Sequence, residues 1–385
     1  MTTLLRADDL AHLPRTDWDL AVHGTSFYNS YSWLLSTAET FERDRMFVIA
    51  KEARPVAAAM YRTSPATYKF YNPLALLRDP QLSAATSQDD LQVSLRRTEA
   101  AVSALHPLDK GTAAIIATPY GFTQPISSEA DQQSRQRILD ELTRQASAWE
   151  APVAAVMYVD DRDVSLAAAL TDRDFVRFAP GGTCLLTVPP GGRAEYLRGL
   201  SAGRRYSILR EMRGFESGGL HCEIGDLTTH EEELAVLQSR LQASHGHQVD
   251  HSKELRAIRA LRTTFGDEHI LVLAKRGEEI AGFILSFMHE QRLYAKLAGF
   301  DETVADKRQY AYFNTVYYYL LGEAHRRGLS VIDYGPYSYR VKIGRGCVLQ
   351  PFSSWVRVPR HMRSAVEDVA ALQRLPAGAL PPEVA

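Results

Sequence analysis

An internal repeat restricts this chain more than any other feature. Phe47-Val-Ile-Ala-Lys51, Glu-Ala-Arg and Pro55-Val-Ala-Ala-Ala59 in the first half align without a gap on Leu271-Val-Leu-Ala-Lys275, Arg-Gly-Glu and Glu279-Ile-Ala-Gly-Phe283 in the second. Each stretch reads as strand, charged tight turn, strand, since β-branched and aromatic residues suit pleated backbone. A third strand of aromatic and lysine character is predicted after each hairpin, at Tyr68-Lys69-Phe70-Tyr71 and at Leu293-Tyr294-Ala295-Lys296-Leu297. The 385 residues suit two such units, each large enough to bury a core without disulfide or metal.

Each meander leads to an amphipathic helix and another apolar strand. In the first half the helix is predicted over 133–149 and the strand over 153–159; in the second, over 312–326 and 330–334, with Gly328 as the helix stop. Strand, helix and parallel strand imply a right-handed crossover. Before the second meander the pattern predicts a strand at 184–188, a basic helix over 193–215, a strand at 221–227 and helices over 230–243 and 252–264. A closing hairpin is predicted at 348–358, a polar loop over 76–90, and a frayed tail after Leu375. The expected fold class is α/β: two tandem domains, 1–178 and 179–385, each a mixed twisted sheet flanked by helices.

Charge and cysteines narrow the function. The formal net charge is -2, so the whole chain is no polyanion binder, although local basic patches remain open. Cys184, Cys222 and Cys347 are odd in number and far apart, against a disulfide framework or a zinc ribbon. The first residues have no signal-peptide pattern and no window has the length of an uncharged membrane span, so a cytoplasmic protein without membrane association is expected.

Four stretches carry a family resemblance. They are Phe27-Tyr28 through Trp33-Leu34 with Glu39 beyond; Tyr196 through Arg205 to Arg210-Glu211; Tyr312 through Gly328 to Asp333-Tyr334-Gly335; and Tyr339-Arg-Val-Lys342 with Arg345-Gly-Cys347. In their order the chain resembles the tandem GNAT acyltransferases that include the Fem-type aminoacyltransferases. The resemblance implies transfer of an acyl or aminoacyl group to an amine. Fem-type enzymes draw that group from aminoacyl-tRNA, and ordinary GNAT enzymes from acetyl-CoA. No long, charged helical hairpin arm is present, which tilts the acceptor from a cell-wall precursor toward a small-molecule or peptide amine of natural-product assembly.

Two features bear on the donor. The segment where a CoA pyrophosphate would meet a glycine-rich turn reads Asp301-Glu-Thr-Val-Ala-Asp-Lys-Arg-Gln-Tyr-Ala-Tyr312, with no glycine and two early acids. The second is a run of arginines in which Arg204, Arg205 and Arg210 are candidates for RNA phosphates; helical spacing forbids all three from sharing one face. An aminoacyl- or acyl-tRNA donor is favoured, with acyl-CoA as the alternative co-substrate. No bound cofactor and no metal is expected.

Aminolysis needs a neutral amine, a proton acceptor and donors for the oxyanion, but no enzyme nucleophile. Asp333 closes the last strand of the second unit, where ligands approach open sheets, and either holds the amine or caps a turn. Lys296 lies on a central strand and is a donor-binding candidate, with Lys69 as its first-half counterpart. Lys342 takes its donor-binding role from the resemblance, alongside Arg345. Tyr334, Tyr337 and Tyr339 offer hydroxyls or stacking faces. His245-Gly-His247-Gln-Val-Asp250-His251 lies between two helices; His247 is a candidate proton acceptor, His245 and His251 candidate acceptor-binding groups, and an exposed polar loop the plain alternative. One working site is expected, in the second unit, with the first a degenerate scaffold. A non-catalytic tandem binding protein is the alternative from another class, and oligomeric state is left open.

Overall fold

A computed structural model describes residues 3–38, 41–78, 101, 103–105, 112–244 and 249–372. The strands are β1 (Thr3–Ala7), β2 (Arg45–Lys51), β3 (Val56–Arg62), β4 (Ala113–Ile116), β5 (Val153–Asp160), β6 (Val176–Thr187), β7 (His221–Ile224), β8 (His269–Arg276), β9 (Glu279–His289), β10 (Arg292–Phe300), β11 (Val331–Asp333) and β12 (Val348–Arg357). The helices include α1 (Arg15–Ala21), α2 (Tyr31–Ser36), α3 (Pro73–Arg78), α4 (Gln132–Ala148), α5 (Val164–Thr171), α6 (Gly192–Gly199), α7 (Ala202–Ser217), α8 (Leu227–Ser244) and α9 (His251–Phe265). Next, α10 runs through Ala311–Phe313, a π-helical stretch Asn314–Tyr319 and Leu320–Arg326, followed by α11 (Tyr339–Ile343) and α12 (Arg363–Leu372).

The chain divides into two compact units, Met1–Thr183 with Gln350–Ala385, and Cys184–Leu349. In the first unit β1, β2, β3 and β4 pair antiparallel in sequence and β4 pairs parallel with β5. Helix α4 covers this sheet: Ile138, Leu139 and Leu142 are fully buried against Val48, Met60, Ile116 and Val156. These residues sit at i, i+1 and i+4, the apolar stripe of an amphipathic helix. Asp131 caps α4 by accepting from the Ser134 amide at 2.8 Å.

The second unit repeats this order: β7, β8, β9 and β10 pair antiparallel and β10 pairs parallel with β11. The repeated hairpins are β2–β3 and β8–β9, in the predicted places. Each unit is a mixed sheet flanked by helices, the α/β architecture read from the sequence.

The strand that completes each unit comes from an unexpected place. Antiparallel to β5 lies β12, with Phe352 opposite Asp160 and Arg357 opposite Ala154. Antiparallel to β11 lies the end of β6, with Leu185 opposite Asp333. By chain order β12 follows the second meander yet completes the first unit, whereas the second unit is closed by the end of β6, from Cys184 onward, at its own start. A division at 178/179 falls inside β6, and 350–385 group with the first unit. The predicted closing hairpin is a single strand, β12.

Other local differences have plain causes. Lys69–Tyr71 is a 3-10 turn, not a strand: the Asn72 side chain accepts from the Leu74 and Ala75 amides at 3.0 and 3.2 Å and starts α3. The strand after β3 is β4, so Lys69 is not the counterpart of Lys296. The basic helix is two helices, α6 and α7, broken at Leu200, which is extended. Of the predicted 76–90 loop, 76–78 belong to α3 and the rest lies outside the described residues, as does the tail beyond Leu372. No helix among the described residues is long and apolar enough to cross a membrane.

Candidate functional site

The second unit gathers the predicted residues around the end of β11. Asp333 is its last residue, paired in register with Tyr294 of β10 and Leu185 of β6. Its carboxylate accepts the Gly335 amide at 2.8 Å, so the turn-capping role is realised. The chain beyond Asp333 is tightly bent. Gly335, Tyr337 and Ser338 all have positive φ, at 67°, 64° and 50°. Side chains rarely adopt that conformation, and two consecutive non-glycine cases mark stored strain of a kind that concentrates at functional sites. Tyr337 is exposed, and Tyr339 opens α11 partly buried.

Lys342 anchors this bend. Its ammonium donates to the carbonyls of Tyr334 (2.7 Å), Gly335 (3.0 Å) and Pro336 (2.7 Å). An ammonium has three protons, so all are committed. Burial pulls its pKa below the usual lysine value. Lys342 therefore holds the loop.

Arg345 is likewise engaged within the protein. Its Nη2 donates to both Glu211 oxygens at 3.0 Å, its Nε to the Tyr318 hydroxyl at 3.2 Å and its Nη1 to the Val341 carbonyl at 3.1 Å. The guanidinium also lies 3.5 Å from the Phe313 ring centroid. Tyr318 donates to Glu211. Tyr334 is buried, gives its hydroxyl to the Val316 carbonyl at 3.1 Å and packs on Tyr317, so it stacks on protein rather than on a base.

Lys296 is the extra residue of a bulge in β10. Ala295 faces Ser286 and Leu297 faces Leu285, so the register steps over Lys296. It is partly buried, and burial pulls its ammonium down to about 7 against the opposing effect of Asp333. The buried Ser286 hydroxyl opposite the bulge has no hydrogen-bond partner among the described residues. Past the bulge, a Cβ at Gly299 would lie 2.8 Å from the Leu237 backbone, so glycine lets α8 settle on β10.

The segment before α10 is filled by its own side chains. Asp301 accepts from the Thr303 amide (2.9 Å) and hydroxyl (2.5 Å) and also pairs with Arg240. Asp306 accepts from the Arg308 amide at 2.7 Å, while Gln309 takes the Asp306 amide at 3.1 Å. The amides of Val304, Ala305, Gln309 and Tyr310 donate to loop carbonyls. Within α10 the π-helical stretch holds Asn314, whose amide donates to the Glu211 and Tyr310 carbonyls at 3.1 and 3.0 Å. Such bulges are frequent at functional sites.

On α7, Arg204 and Arg210 are exposed and Arg205 is partly buried; none makes a hydrogen bond or ion pair among the described residues. Helical spacing sets Arg210 and Arg213 beside the exposed Tyr206 on one face and turns Arg204 and Arg205 away from it. His245 and His247 lie outside the described residues. His251 starts α9, 3.7 Å from a Glu232 oxygen, behind the Asp250 cap. The three thiols are poor nucleophiles: burial pushes Cys184 up to about 11, Cys222 up to about 12, and Cys347 upward too.

Sequence reasoning singled out neither Ser286 nor the role of Glu211. Ser286 had a signal, a lone hydroxyl in the apolar run Phe283-Ile-Leu-Ser-Phe287.

Residues 202–342 match the family model of the acetyltransferase (GNAT) domain. The match begins at α7 and ends at Lys342. Among solved structures, that of FemX is similar with a TM-score of 0.57, at 9% identity over 91% of this chain and 96% of FemX. A conserved protein of unknown function from Bacteroides thetaiotaomicron has a TM-score of 0.50 at 13% identity, over 89% and 92% of the two chains. A tandem GNAT protein from the clavulanic acid biosynthesis pathway has a TM-score of 0.49 at 8% identity, over 93% and 98%. No curated protein matches the sequence. Residues 202–342 thus carry the GNAT domain, and the chain as a whole shares the fold of FemX.

Proposed function

We propose that this protein is an N-acyltransferase that passes an aminoacyl group from tRNA to a small-molecule or peptide amine, as in natural-product assembly, at the end of β11. The filled segment before α10 carries this reading. A CoA pyrophosphate is held by free backbone amides at a helix start; here Asp301, Asp306, Gln309 and nearby carbonyls take the amides of 303–306 and 308–310. Lys307, the nearest lysine side chain, pairs with Glu302 at 3.2 Å. The exposed Tyr206, Arg210 and Arg213 of α7 suit a charged and aromatic polymer instead.

In this reading Asp333 holds the incoming amine and the bend at 335–338, fixed by Lys342, forms one wall of the site. The test is incubation of the protein and a panel of amines with charged tRNA or acyl-CoA, each with and without RNase. Product that needs charged tRNA and disappears with RNase is expected. Product from acyl-CoA that survives RNase would overturn the tRNA donor, and no product from either would favour a binding protein.

A further inference from the structure

The β10 bulge lies where the parallel pair ends. Tyr294 is the last β10 residue paired with β11, and its partner is Asp333. From Ala295 to Phe300, β10 is paired with β9 alone. Ligands enter open α/β sheets at such carboxyl ends, and bulges next to active sites re-aim side chains. Lys296 is the residue re-aimed here, with the orphaned Ser286 hydroxyl across the strand. A buried hydroxyl without a partner is rare in folded proteins, and one beside a bulge suits a ligand atom. The first unit has no equivalent: β4 reads Ala-Ala-Ile-Ile.

We propose that Lys296 takes the proton from the attacking amine and returns it to the leaving atom of the acyl donor. This role rests on the acyl-transfer reading above. The acceptor nitrogen bonds the carbonyl carbon while one N–H proton passes to the neutral Lys296 amine. The bond from that carbon to the donor oxygen then breaks, and the leaving oxygen takes the proton from Lys296. The lysine ends neutral, and the products are an amide and an alcohol. Asp333 stabilises the ammonium form through which Lys296 passes. Behind Asp333 stand Lys342 and the thiols of Cys184 and Cys347. From the other elements packed on β10, Ser286 of β9 and Leu237 of α8 are neutral.

The chain has eight lysines, few enough to resolve one by one. Reductive methylation with labelled formaldehyde followed by NMR titration of the intact protein needs no substrate. The resonance missing from Lys296→Arg is expected to titrate near pH 7, and to move lower in Asp333→Asn. A Lys296 resonance titrating above pH 9 overturns the proposal. In the product assay, kcat/KM is expected to rise with pH through about 7 and to fall about 100-fold or more in Lys296→Gln. A Lys296→Gln protein that keeps both its activity and that pH limb overturns it as well. No product from either donor sinks the acyl-transfer reading itself, and this role with it.

Discussion

Arg345 and Glu211 meet as a forked ion pair, one Nη2 lying 3.0 Å from each carboxylate oxygen, with both side chains nearly buried. The pair ties the arginine-bearing α7 to the loop that follows α11. Its neighbours, Tyr318 and Phe313, both lie on α10, so three elements share one charge centre. Removing the cation leaves Glu211 buried without its main partner. Arg345→Met is expected to cost about 3–5 kcal/mol of stability, read from urea unfolding. Glu211→Gln strands the Arg345 guanidinium in turn, so a comparable loss is expected; a loss within ~0.5 kcal/mol from either variant would argue against the ion pair as the source.

Lys342 supports three carbonyls at once. Lys342→Met leaves them short of a donor in a buried bend, and a loss of about 2 kcal/mol is expected. Because the bend lies next to Asp333, both kcat and KM should change. An unfolding midpoint within ~0.5 kcal/mol of wild type would show that the bend holds without its anchor.

Lys296 links the site to stability through pH. Its folded-state pKa, about 7, lies below the ordinary lysine value of 10.5. Between those values the unfolded chain binds the extra proton, so the penalty of burying this lysine is full below pH 7 and relieved as pH climbs toward 10. The melting temperature of Lys296→Met relative to wild type should therefore be highest below pH 7 and decline above it. A difference that stays constant from pH 6 to 10 would contradict the shift.

The α7 arginines predict a salt signature. With a tRNA donor as proposed, Arg210→Ala and Arg213→Ala should each weaken RNA binding and reduce the slope of log affinity against log salt by about 1. Both residues are exposed, so stability should stay within ~0.5 kcal/mol. Binding measured by fluorescence anisotropy across salt concentrations decides it: unchanged slopes would remove α7 from the RNA surface.

The sequence made the two hairpins and most helices legible because periodicity is local. It placed Asp333 at a strand end and Lys296 on a central strand for the same reason. What it hid was partnership across the chain. Lys342 and Arg345 look like ligand-binding cations in one dimension, and only folding brings three carbonyls to the first and Glu211 to the second. The bulge at Lys296 was hidden too, since it depends on the register of β9 against β10. Tyr68–Tyr71 misled by composition: aromatic residues favour strands, but the Asn72 cap starts a helix immediately after them.

The late origin of β12 reaches back to synthesis. The first unit takes β12 from 348–357, close to the end of the described chain. On the ribosome its sheet must wait, with the flank of β5 uncovered, until the whole second unit has been made. Domains of a nascent chain ordinarily fold one after another, amino-terminal first. Here the half made first is the half completed last, and a gene split before Cys184 would leave the first unit without its last strand.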